Sequence, residues 1–330
     1  MRTLRNLFLL AVLAVVAVGA WLYWFANHPV ALPRTPFDFT VRSGASVKSV
    51  SHKLADEGLF PEGESFWVIA RVLGKSGAIQ AGTYRLERAM TPLEILDKLK
   101  RGDVVLAEIL FVEGTTFRQW RAQLAANTNV KQTLAGKSDE EIRAALGIAE
   151  ALPEGWLFPD TYRFAPGTSD LDLLKRAHGA MKKRLAEGWA GRDATVPLKS
   201  PYEALILASI VEKETGQAAE RPIIAGVFAN RLRKGMRLQT DPTVIYGIGE
   251  KFDGDIRKRD LTTDTPWNTY TRDGLPPTPI AMPGAASLQA VSKPAQSDFL
   301  YFVGKGDGTH QFSRTLEEHN RGVARFQLKK

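Results

Sequence analysis

The stretch that decides the fold is Ser200–Gly216, which reads SPYEALILASIVEKETG. It predicts one helix with a marker at each end. Ser200 with Glu203 three residues later forms a capping box, and Pro201 suits the first helical position. Gly216 suits the left-handed residue that often follows a helix. The sequence therefore defines where the helix ends, and two glutamates, Glu212 and Glu214, fall in its last turn.

Glu214 continues an apolar stripe of this helix into its last turn. Leu207, Ile210 and Val211 recur before it at helical spacing. The unpaired carbonyls of a last turn carry partial negative charge, and apolar surroundings also disfavour an anion. Glu214 is therefore a candidate for a carboxylic acid that stays protonated near neutral pH, which a general acid requires.

Glu212 competes with Glu214 for this role. The two positions lie about 200° apart around a helix, so at most one of them can face a given bond. Glu214 is preferred because it extends the apolar stripe and has Thr215 beside it. Glu212 shares a face with Leu205, Ala208 and Ser209 and stays open as the acid. For either residue the structural alternative is an ordinary surface glutamate.

The N-terminus predicts a transmembrane helix. At 330 residues the chain has room for more than one domain. Leu7–Ala26 is uncharged and long enough to cross a bilayer, while Arg2 and Arg5 in a tail of residues 1–6 place the N-terminus in the cytoplasm. Aromatic residues suited to the far interface follow at Trp21, Tyr23 and Trp24. The rest of the chain would then be periplasmic, held at the inner membrane. A cleaved signal peptide is the alternative, since Val18–Ala20 resembles a cleavage site.

Composition and motifs exclude several classes of site. The chain has no cysteine, so it forms neither disulfides nor thiolate metal sites. Phosphate loops, dinucleotide fingerprints and zinc spacings are missing from the sequence, which predicts no cofactor and no metal. The net charge of +8 favours an anionic polymer or a membrane surface, and nucleic acid is not expected outside the cytoplasm. His310 and His319 have no partner spacing and are interpreted as solvated or packed.

A small βα module is predicted at residues 37–108, after a Pro-rich linker at 27–36. Its predicted elements are a strand at Phe37–Val41, a helix from Val47, a strand at Ala81–Leu86 and a helix from Thr91 to near Gly102. This pattern resembles a LysM-like domain, which implies glycan binding. A spacer without a ligand is the alternative.

Residues 109–330 predict a larger α+β domain. Val112–Phe117 and the following helix echo the strand, turn and helix of the module. Glu154–Tyr162 mixes aromatics, turn formers and carboxylates, which suits a cleft loop, and Leu171–Trp189 is amphipathic. Gly235–Gly284 lacks clear helical periodicity and predicts cleft-lining loops with short strands. Glu220 and Arg221 are interpreted as a surface ion pair. The fold class predicted for the whole chain is α+β with one transmembrane helix.

Several motifs in order carry a resemblance that covers essentially the whole chain. They are Glu154–Asp160 (EGWLFPD), Ala208–Thr215 (ASIVEKET), Asn230–Leu232 (NRL), Gly235–Tyr246 (GMRLQTDPTVIY), Asn268–Tyr270 (NTY) and Gly274–Pro277 (GLPP). With these motifs the chain resembles the YceG-like family of endolytic murein transglycosylases. The resemblance implies a lyase that cleaves peptidoglycan strands between N-acetylmuramic acid and N-acetylglucosamine and leaves a 1,6-anhydro end. It also implies work on nascent strands beside peptidoglycan synthase complexes.

One glutamate suffices for the implied reaction, and Glu214 with Thr215 matches the family's catalytic segment. Expected sugar contacts are Thr215, Gln239, Thr240, Asp241, Tyr246, Asn268 and Tyr270, whose hydroxyls, amides and rings suit sugars and acetamido groups. Asp241 is equally a turn starter before Pro242, and Asp160 is similar. Two other functions stay open. One is a hydrolase that uses Asp241 or Asp160 as a base, and the other is a scaffold that binds glycan without cleaving it.

Overall fold

A computed structural model describes residues 2–42, 44–77 and 79–328. Met1 of the predicted tail, Ser43 and Ala78 of the predicted module, and residues 329–330 of the predicted larger domain lie outside the described residues. The chain forms two compact units. The N-terminal unit comprises residues up to Ala107 together with 163–167, and the C-terminal unit comprises 108–162 together with the chain from 168 onward. The elements are mixed helices and strands, as the predicted α+β class requires.

The first element is one long helix, α1 (Arg2–Asn27). Its apolar part, Thr3–Asn27, is long and apolar enough to cross a membrane. The helix begins inside the predicted tail because residues 2–6 contain no glycine or proline that would break it. At its other end Phe25 and Ala26 are buried, and the ring of Phe25 packs edge-on against Phe60 at 5.8 Å. The last turn of α1 therefore belongs to the core of the N-terminal unit.

The N-terminal unit places helices against a two-stranded antiparallel sheet. Strand β1 (Phe37–Val41) pairs with β2 (Gly82–Leu86), with Phe37 opposite Leu86. The helices are α2 (Val47–Asp56), α3 (Glu64–Val72) and α4 (Pro92–Arg101). The predicted strands and the Thr91 capping box are confirmed, and Gly102 ends α4 with a left-handed φ of 67°. The predicted linker lies along this unit, since the Val30 amide donates to the Met90 carbonyl at 3.0 Å.

The rest of the chain is mostly helical. Its elements are β3 (Ala107–Leu110), α5 (Phe117–Ala126), α6 (Asp139–Leu146), β4 (Thr161–Phe164), α7 (Asp170–Ala190), α8 (Pro201–Glu214), α9 (Arg221–Arg233), α10 (Asp241–Ile248), a 3-10 turn (Gly249–Lys251), α11 (Lys258–Thr262), α12 (Ala285–Ser292), β5 (Tyr301–Gly304), β6 (His310–Ser313) and α13 (Leu316–Phe326). Strands β5 and β6 form an antiparallel hairpin. The short strands predicted between 235 and 284 are wrong, because Asp241–Pro242 opens a helix there instead of a turn.

Helix α8 is the centre of the C-terminal unit. Every residue from Ala204 to Val211 is buried, and α7, α9, α10 and α12 pack around it. The predicted helix is confirmed, but it is buried on all sides rather than along one stripe. At its start Ser200 Oγ accepts from the Glu203 amide, whereas the Glu203 carboxylate turns to the Lys199 amide, so the capping box is half formed.

The predicted glycine stop of α8 is wrong. Thr215 ends the helix in an extended conformation with φ of −146°, and Gly216 is not left-handed. The Thr215 hydroxyl instead accepts a hydrogen bond of 2.9 Å from the Gln217 amide, which turns the chain without a left-handed residue. Because α8 is central, its last residue is held in place by the whole unit.

Candidate active site

Glu214 is the last residue of α8, and its carboxylate accepts a hydrogen bond from the Thr240 hydroxyl. Thr240 is itself fixed by neighbouring threonines. Its amide donates to Thr269 Oγ1 at 3.1 Å, and its carbonyl accepts from Thr243 Oγ1 at 2.7 Å. The hydroxyls of Thr243 and Thr269 lie 2.9 Å apart in the same buried cluster. The cluster therefore fixes the group that orients the carboxylate of Glu214.

Burial raises the pKa of Glu214 to about 7, and the nearby charge of Asp241 acts in the same direction. The hydrogen bond from Thr240 and the proximity of His310 and Arg231 oppose this rise. Burial has the larger effect because it removes solvation from the anion. Near neutral pH the protonated and ionised forms of Glu214 are therefore both well populated, which suits a group that must give a proton and take one back.

A cavity of about 500 Å³ opens beside Glu214. Four of the predicted sugar contacts line it with Glu214: Gln239, Thr240, Asp241 and Tyr270. Within this group the Tyr270 hydroxyl donates to the Asp241 carboxylate at 2.6 Å. Asp241 is also the first residue of α10, so it serves the helix start and the cavity wall together. The size lies in the range of cavities that hold small organic ligands.

Gln239 carries backbone strain beside the acid. Its φ of 50° is the positive value that non-glycine residues rarely adopt. The strained position is held by its amide, which donates to the Thr269 carbonyl at 3.2 Å, and by the threonine cluster that follows. Strain of this kind collects at functional sites, where the surrounding fold stabilises it. Both Gln239 and Thr240 thereby face the cavity of Glu214.

The other predicted contacts lie elsewhere. Thr215 is buried, with its hydroxyl turned to the Gln217 amide. The side-chain amide of Asn268 is buried and donates to three backbone carbonyls, the closest being Thr263 O at 2.7 Å. Tyr246 donates to Glu154 at 3.2 Å and lines a different cavity. These three residues thus lie outside the group that lines the cavity of Glu214.

Both oxygens of the Glu212 carboxylate contact other residues of the fold. It accepts from the Gly284 amide at 3.0 Å and from Ser287 Oγ at 2.7 Å, at the start of α12. On its other oxygen it pairs with Arg221 at 3.6 Å, and only 6% of its side chain is exposed. The predicted surface pair of Arg221 with its neighbour Glu220 is therefore wrong, because the buried Glu212 attracts the guanidinium instead.

A third carboxyl group, that of Glu154, is buried in the second cavity of about 550 Å³. It accepts from the Phe117 amide, at 3.0 and 3.3 Å to its two oxygens, and from Tyr246. Burial raises its pKa to about 8, against the opposing effect of these hydrogen bonds. Glu154 opened the cleft-loop motif of the sequence, and the structure makes it the anchor of that loop on α5 and α10.

Several residues of the Glu214 cavity were missed by sequence reasoning. Arg231 is buried and donates to the carbonyls of Leu300 and Leu238 at 2.6 Å each, which ties the chain before β5 to the loop before α10. Its guanidinium lies 5.1 Å from the ring centre of Tyr301. Only the NRL motif signalled Arg231, and nothing in the sequence indicated its partners.

The two late histidines are packed, as one of the two sequence interpretations had it, but their place beside Glu214 was not predicted. His310 and His319 both line the cavity of Glu214, together with Tyr301. His319 stacks on Tyr301 with ring centres 5.3 Å apart, and burial lowers its pKa. His310 bonds Glu220, the residue before α9. Hairpin β5–β6 and α13 bring them there, which no local pattern could indicate. Among the described residues no group of three or more His, Cys, Asp or Glu side chains could hold a metal ion.

The fold and the site define a class: an α+β protein with an N-terminal apolar helix and a carboxyl group of raised pKa that lines a cavity of hydroxyls, amides and rings. The chain belongs to the YceG-like family, whose model matches residues 39–325. It is 33% identical over 311 residues to an endolytic murein transglycosylase of Bacillus subtilis, covering 89% of this chain and 85% of that protein.

Two further relatives agree with this assignment. An endolytic murein transglycosylase of Streptococcus pneumoniae is 29% identical over 320 residues, and the match covers 86% of this chain but 57% of that longer protein. A crystal structure of a YceG-like protein from Listeria monocytogenes superposes with a TM-score of 0.58 at 31% identity, covering 87% of this chain and 98% of that one.

Proposed function

We propose that this chain is an endolytic peptidoglycan lytic transglycosylase whose single acid is Glu214. The observation that carries the proposal is the environment of Glu214: a carboxyl group with a pKa of about 7 at the end of a central helix, lining a polar cavity. The names of the relatives supply the substrate class, since the Bacillus and Streptococcus proteins are endolytic murein transglycosylases. The chain is accordingly a lyase that acts on peptidoglycan.

In the proposed reaction Glu214 acts twice. Its protonated carboxyl first gives a proton to the oxygen between N-acetylmuramic acid and N-acetylglucosamine, and the bond from that oxygen to the anomeric carbon breaks. The resulting carboxylate then takes the proton of the muramoyl 6-hydroxyl while O6 bonds to the anomeric carbon. The product ends in a 1,6-anhydro ring, no water is consumed, and Glu214 is returned to its protonated form.

The surrounding side chains support this use of one acid. Thr240 donates to the Glu214 carboxylate, and the same contact stabilises the anion that forms midway. Gln239, Asp241 and Tyr270 line the cavity and are the proposed sugar contacts. Glu212 is buried and held by Gly284, Ser287 and Arg221, which favours Glu214 as the glutamate of this turn that reaches a substrate.

A hydrolase is the second candidate, because Asp241 lines the same cavity as Glu214. Most glycosidases use two carboxyl groups that flank the bond they cleave. In this structure Asp241 accepts a hydrogen bond from Tyr270 and begins α10, which favours a positioning role over activation of a water. The two candidates differ in the mass of the product, since an anhydro end is one water lighter than a hydrolysed end.

The decisive experiment uses the full chain purified in detergent on isolated murein sacculi, with products identified by mass. We expect anhydro ends from the parent protein and a loss of about 10²- to 10⁴-fold in rate for Glu214→Gln. Glu187→Gln, on the exposed side of α7, is the control and keeps the parent rate. Products with hydrolysed ends would establish the hydrolase. No product from the parent would favour a glycan-binding scaffold, and an active Glu214→Gln protein would remove Glu214 as the acid.

We also propose where the enzyme works. Helix α1 carries the only candidate span in the part of the chain that the structure describes, and we assign it as an anchor in the inner membrane with the N-terminus in the cytoplasm. The catalytic unit would then be periplasmic and close to nascent strands and their synthases. For residues 37–108 we propose a LysM-like role in holding glycan, with a spacer as the alternative. Reporter fusions at each terminus and glycan pull-down with the full chain test these assignments.

A further inference from the structure

His310 makes two hydrogen bonds with Glu220, one through its ring and one through its backbone amide. Its ring Nδ1 lies 2.7 Å from Glu220 Oε2, and its backbone amide donates to Glu220 Oε1 at 2.9 Å. Both side chains are largely buried, with 14% and 13% of their surfaces exposed. The two bonds fix the ring and the backbone together. Because Glu220 precedes α9, they also join hairpin β5–β6 to that helix.

This contact determines what the other ring nitrogen can do. A carboxylate oxygen only accepts hydrogen bonds, so Nδ1 must carry the hydrogen that it donates to Glu220. Nε2 is then the ring nitrogen left for another partner, as an acceptor in the neutral ring and as a donor in the charged ring. The ring of Phe302 lies perpendicular to the His310 ring, with ring centres 5.4 Å apart, and packs against it. A hydroxyl group both donates and accepts hydrogen bonds, so it can pair with Nε2 in either form of the ring.

His310 lines the same cavity as Glu214. Its presence also lowers the pKa of Glu214 against the effect of burial, so the two side chains lie within electrostatic reach of each other. A sugar positioned for protonation by Glu214 would present ring hydroxyls to the cavity wall. The hairpin residue is thus one of the groups that a bound glycan would meet there.

We propose that His310 contacts the glycan through Nε2, by a hydrogen bond with a sugar hydroxyl beside the scissile bond, and that Glu220 positions the ring by holding Nδ1. This inference rests on the proposed function for the class of ligand. Glu220 is a positioning residue, since it acts through His310. The alternative is a purely structural link between β6 and α9, in which Nε2 has no role.

Two substitutions separate these possibilities. Asn places an amide nitrogen near the position of Nδ1, so His310→Asn keeps the bond to Glu220 and removes Nε2. Gln places its amide near the position of Nε2, so His310→Gln keeps a polar group facing the cavity and weakens the bond to Glu220. A structural link predicts that Asn is harmless and Gln is harmful. A sugar contact predicts the opposite order.

The measurement is binding of a stem-free murein tetrasaccharide by calorimetry, in the full chain with Glu214→Gln so that no cleavage occurs. We expect His310→Asn to weaken binding about fivefold to tenfold, the value of one net hydrogen bond, with the melting temperature unchanged. The His310→Gln variant should keep more than half of the affinity that the His310→Asn variant loses. Glu187→Gln, on the exposed side of α7, is the control and should change neither quantity.

The outcomes are distinguishable from failure of the proposed function. Tight binding by the Glu214→Gln protein without cleavage by the parent would end the transglycosylase proposal and still allow His310 to be tested. Parent-like affinity of the His310→Asn variant overturns the contact. Equal weakening in both variants with a lowered melting temperature also overturns it, in favour of the structural link. Failure of the Glu214→Gln protein to bind the tetrasaccharide overturns it as well.

Discussion

The two faces of the last turn of α8 differ in how their carboxylates are used. On one face Glu212 is surrounded by donors and a cation from α12 and Arg221. On the other face Glu214 accepts one hydrogen bond, from Thr240, and lines a cavity. Both residues share the helix, its end and its burial. The two carboxylates therefore differ in how many of their acceptor sites are already occupied, and this difference supports the proposal that Glu214 is the acid.

Glu154 extends this comparison to a third carboxyl group. Its pKa is raised even further than that of Glu214, to about 8, yet its oxygens are held by the Phe117 amide and the Tyr246 hydroxyl. A raised pKa alone therefore does not identify an acid catalyst. The pKa must coincide with an open acceptor site on a cavity wall, and among these three carboxyl groups Glu214 combines the two best.

Removal of Glu212 should have the largest effect on stability. Glu212→Ala leaves Arg221 buried without its partner. It also leaves the Gly284 amide and the Ser287 hydroxyl, at the start of α12, without their acceptor. We therefore expect a loss of about 3–5 kcal/mol in the free energy of unfolding. Urea unfolding of the full chain measures it. Glu187→Ala, on an exposed i,i+4 pair with Lys183, is the control and should cost less than about 0.5 kcal/mol. A stable but inactive Glu212→Ala protein would instead make Glu212 the acid.

The second prediction concerns pH. The folded pKa of Glu154 is raised above its ordinary value of 4.5, so the folded chain binds more protons than the unfolded chain between those two values. Its contribution to stability is complete below about 4.5 and is lost as the pH rises through about 8. The Glu154→Gln variant has no carboxyl group to ionise at this position. In this window the free energy of unfolding of the parent should therefore fall by up to about 1.4 kcal/mol more per pH unit than that of the variant. Parallel curves for parent and variant would show that Glu154 is already ionised in the folded chain.

The third prediction tests how Thr240 tunes Glu214. The Thr240 hydrogen bond lowers the pKa of Glu214, so Thr240→Val should raise it. Because the acid must be protonated, kcat/KM falls above this pKa, and we expect that limb to move upward by up to about one pH unit. Thr243→Val is the matched control, since its hydroxyl contacts Thr240 O and Thr269 but not Glu214. An unmoved limb in Thr240→Val would assign the limb to another group.

The smallest expected effect is that of Tyr246→Phe. The substitution removes one hydrogen bond to Glu154 and keeps the ring against Trp267, so the loss should be about 1 kcal/mol in the free energy of unfolding. We expect kcat/KM to stay within about threefold of the parent on murein strands. Tyr202→Phe, whose hydroxyl makes only a long contact of 3.5 Å, is the control. A tenfold rise in KM would return Tyr246 to the role of sugar contact that the sequence predicted.

Local rules accounted for the elements that local rules govern. The caps at Ser200 and Thr91, the strand alternation at Phe37–Val41 and the apolar run of α1 all rest on contacts within a few residues, and these elements are present. The errors arose where distant parts of the chain compete. Helix α8 ends without a left-handed Gly216 because the Thr215 hydroxyl accepts a hydrogen bond from the Gln217 amide and so turns the chain. Asp241–Pro242 begins a helix, α10, that packs against α8.

The sequence singled out Glu214 as the candidate acid, but it did not indicate most of what surrounds this residue. Glu214 could be singled out because its own helix sets its position, and Gln239 to Asp241 because one short loop carries them. His310 and Arg231 reach the same cavity only through the hairpin and its tie to α9, which are long-range contacts. The proposed choice of Glu214 over Glu212 likewise depends on Gly284 and Ser287, which lie far along the chain.

The burial of Phe25 and Ala26 bears on how an anchored chain would hold its N-terminal unit. Both residues belong to the core of that unit, and the hydrogen bond from the Val30 amide to the Met90 carbonyl fixes the residues that follow. If α1 is set in the bilayer, as we propose, the helix and the N-terminal unit move as one body. The distance of this unit from the membrane is then set by side-chain packing at the end of α1 rather than by the length of a flexible linker.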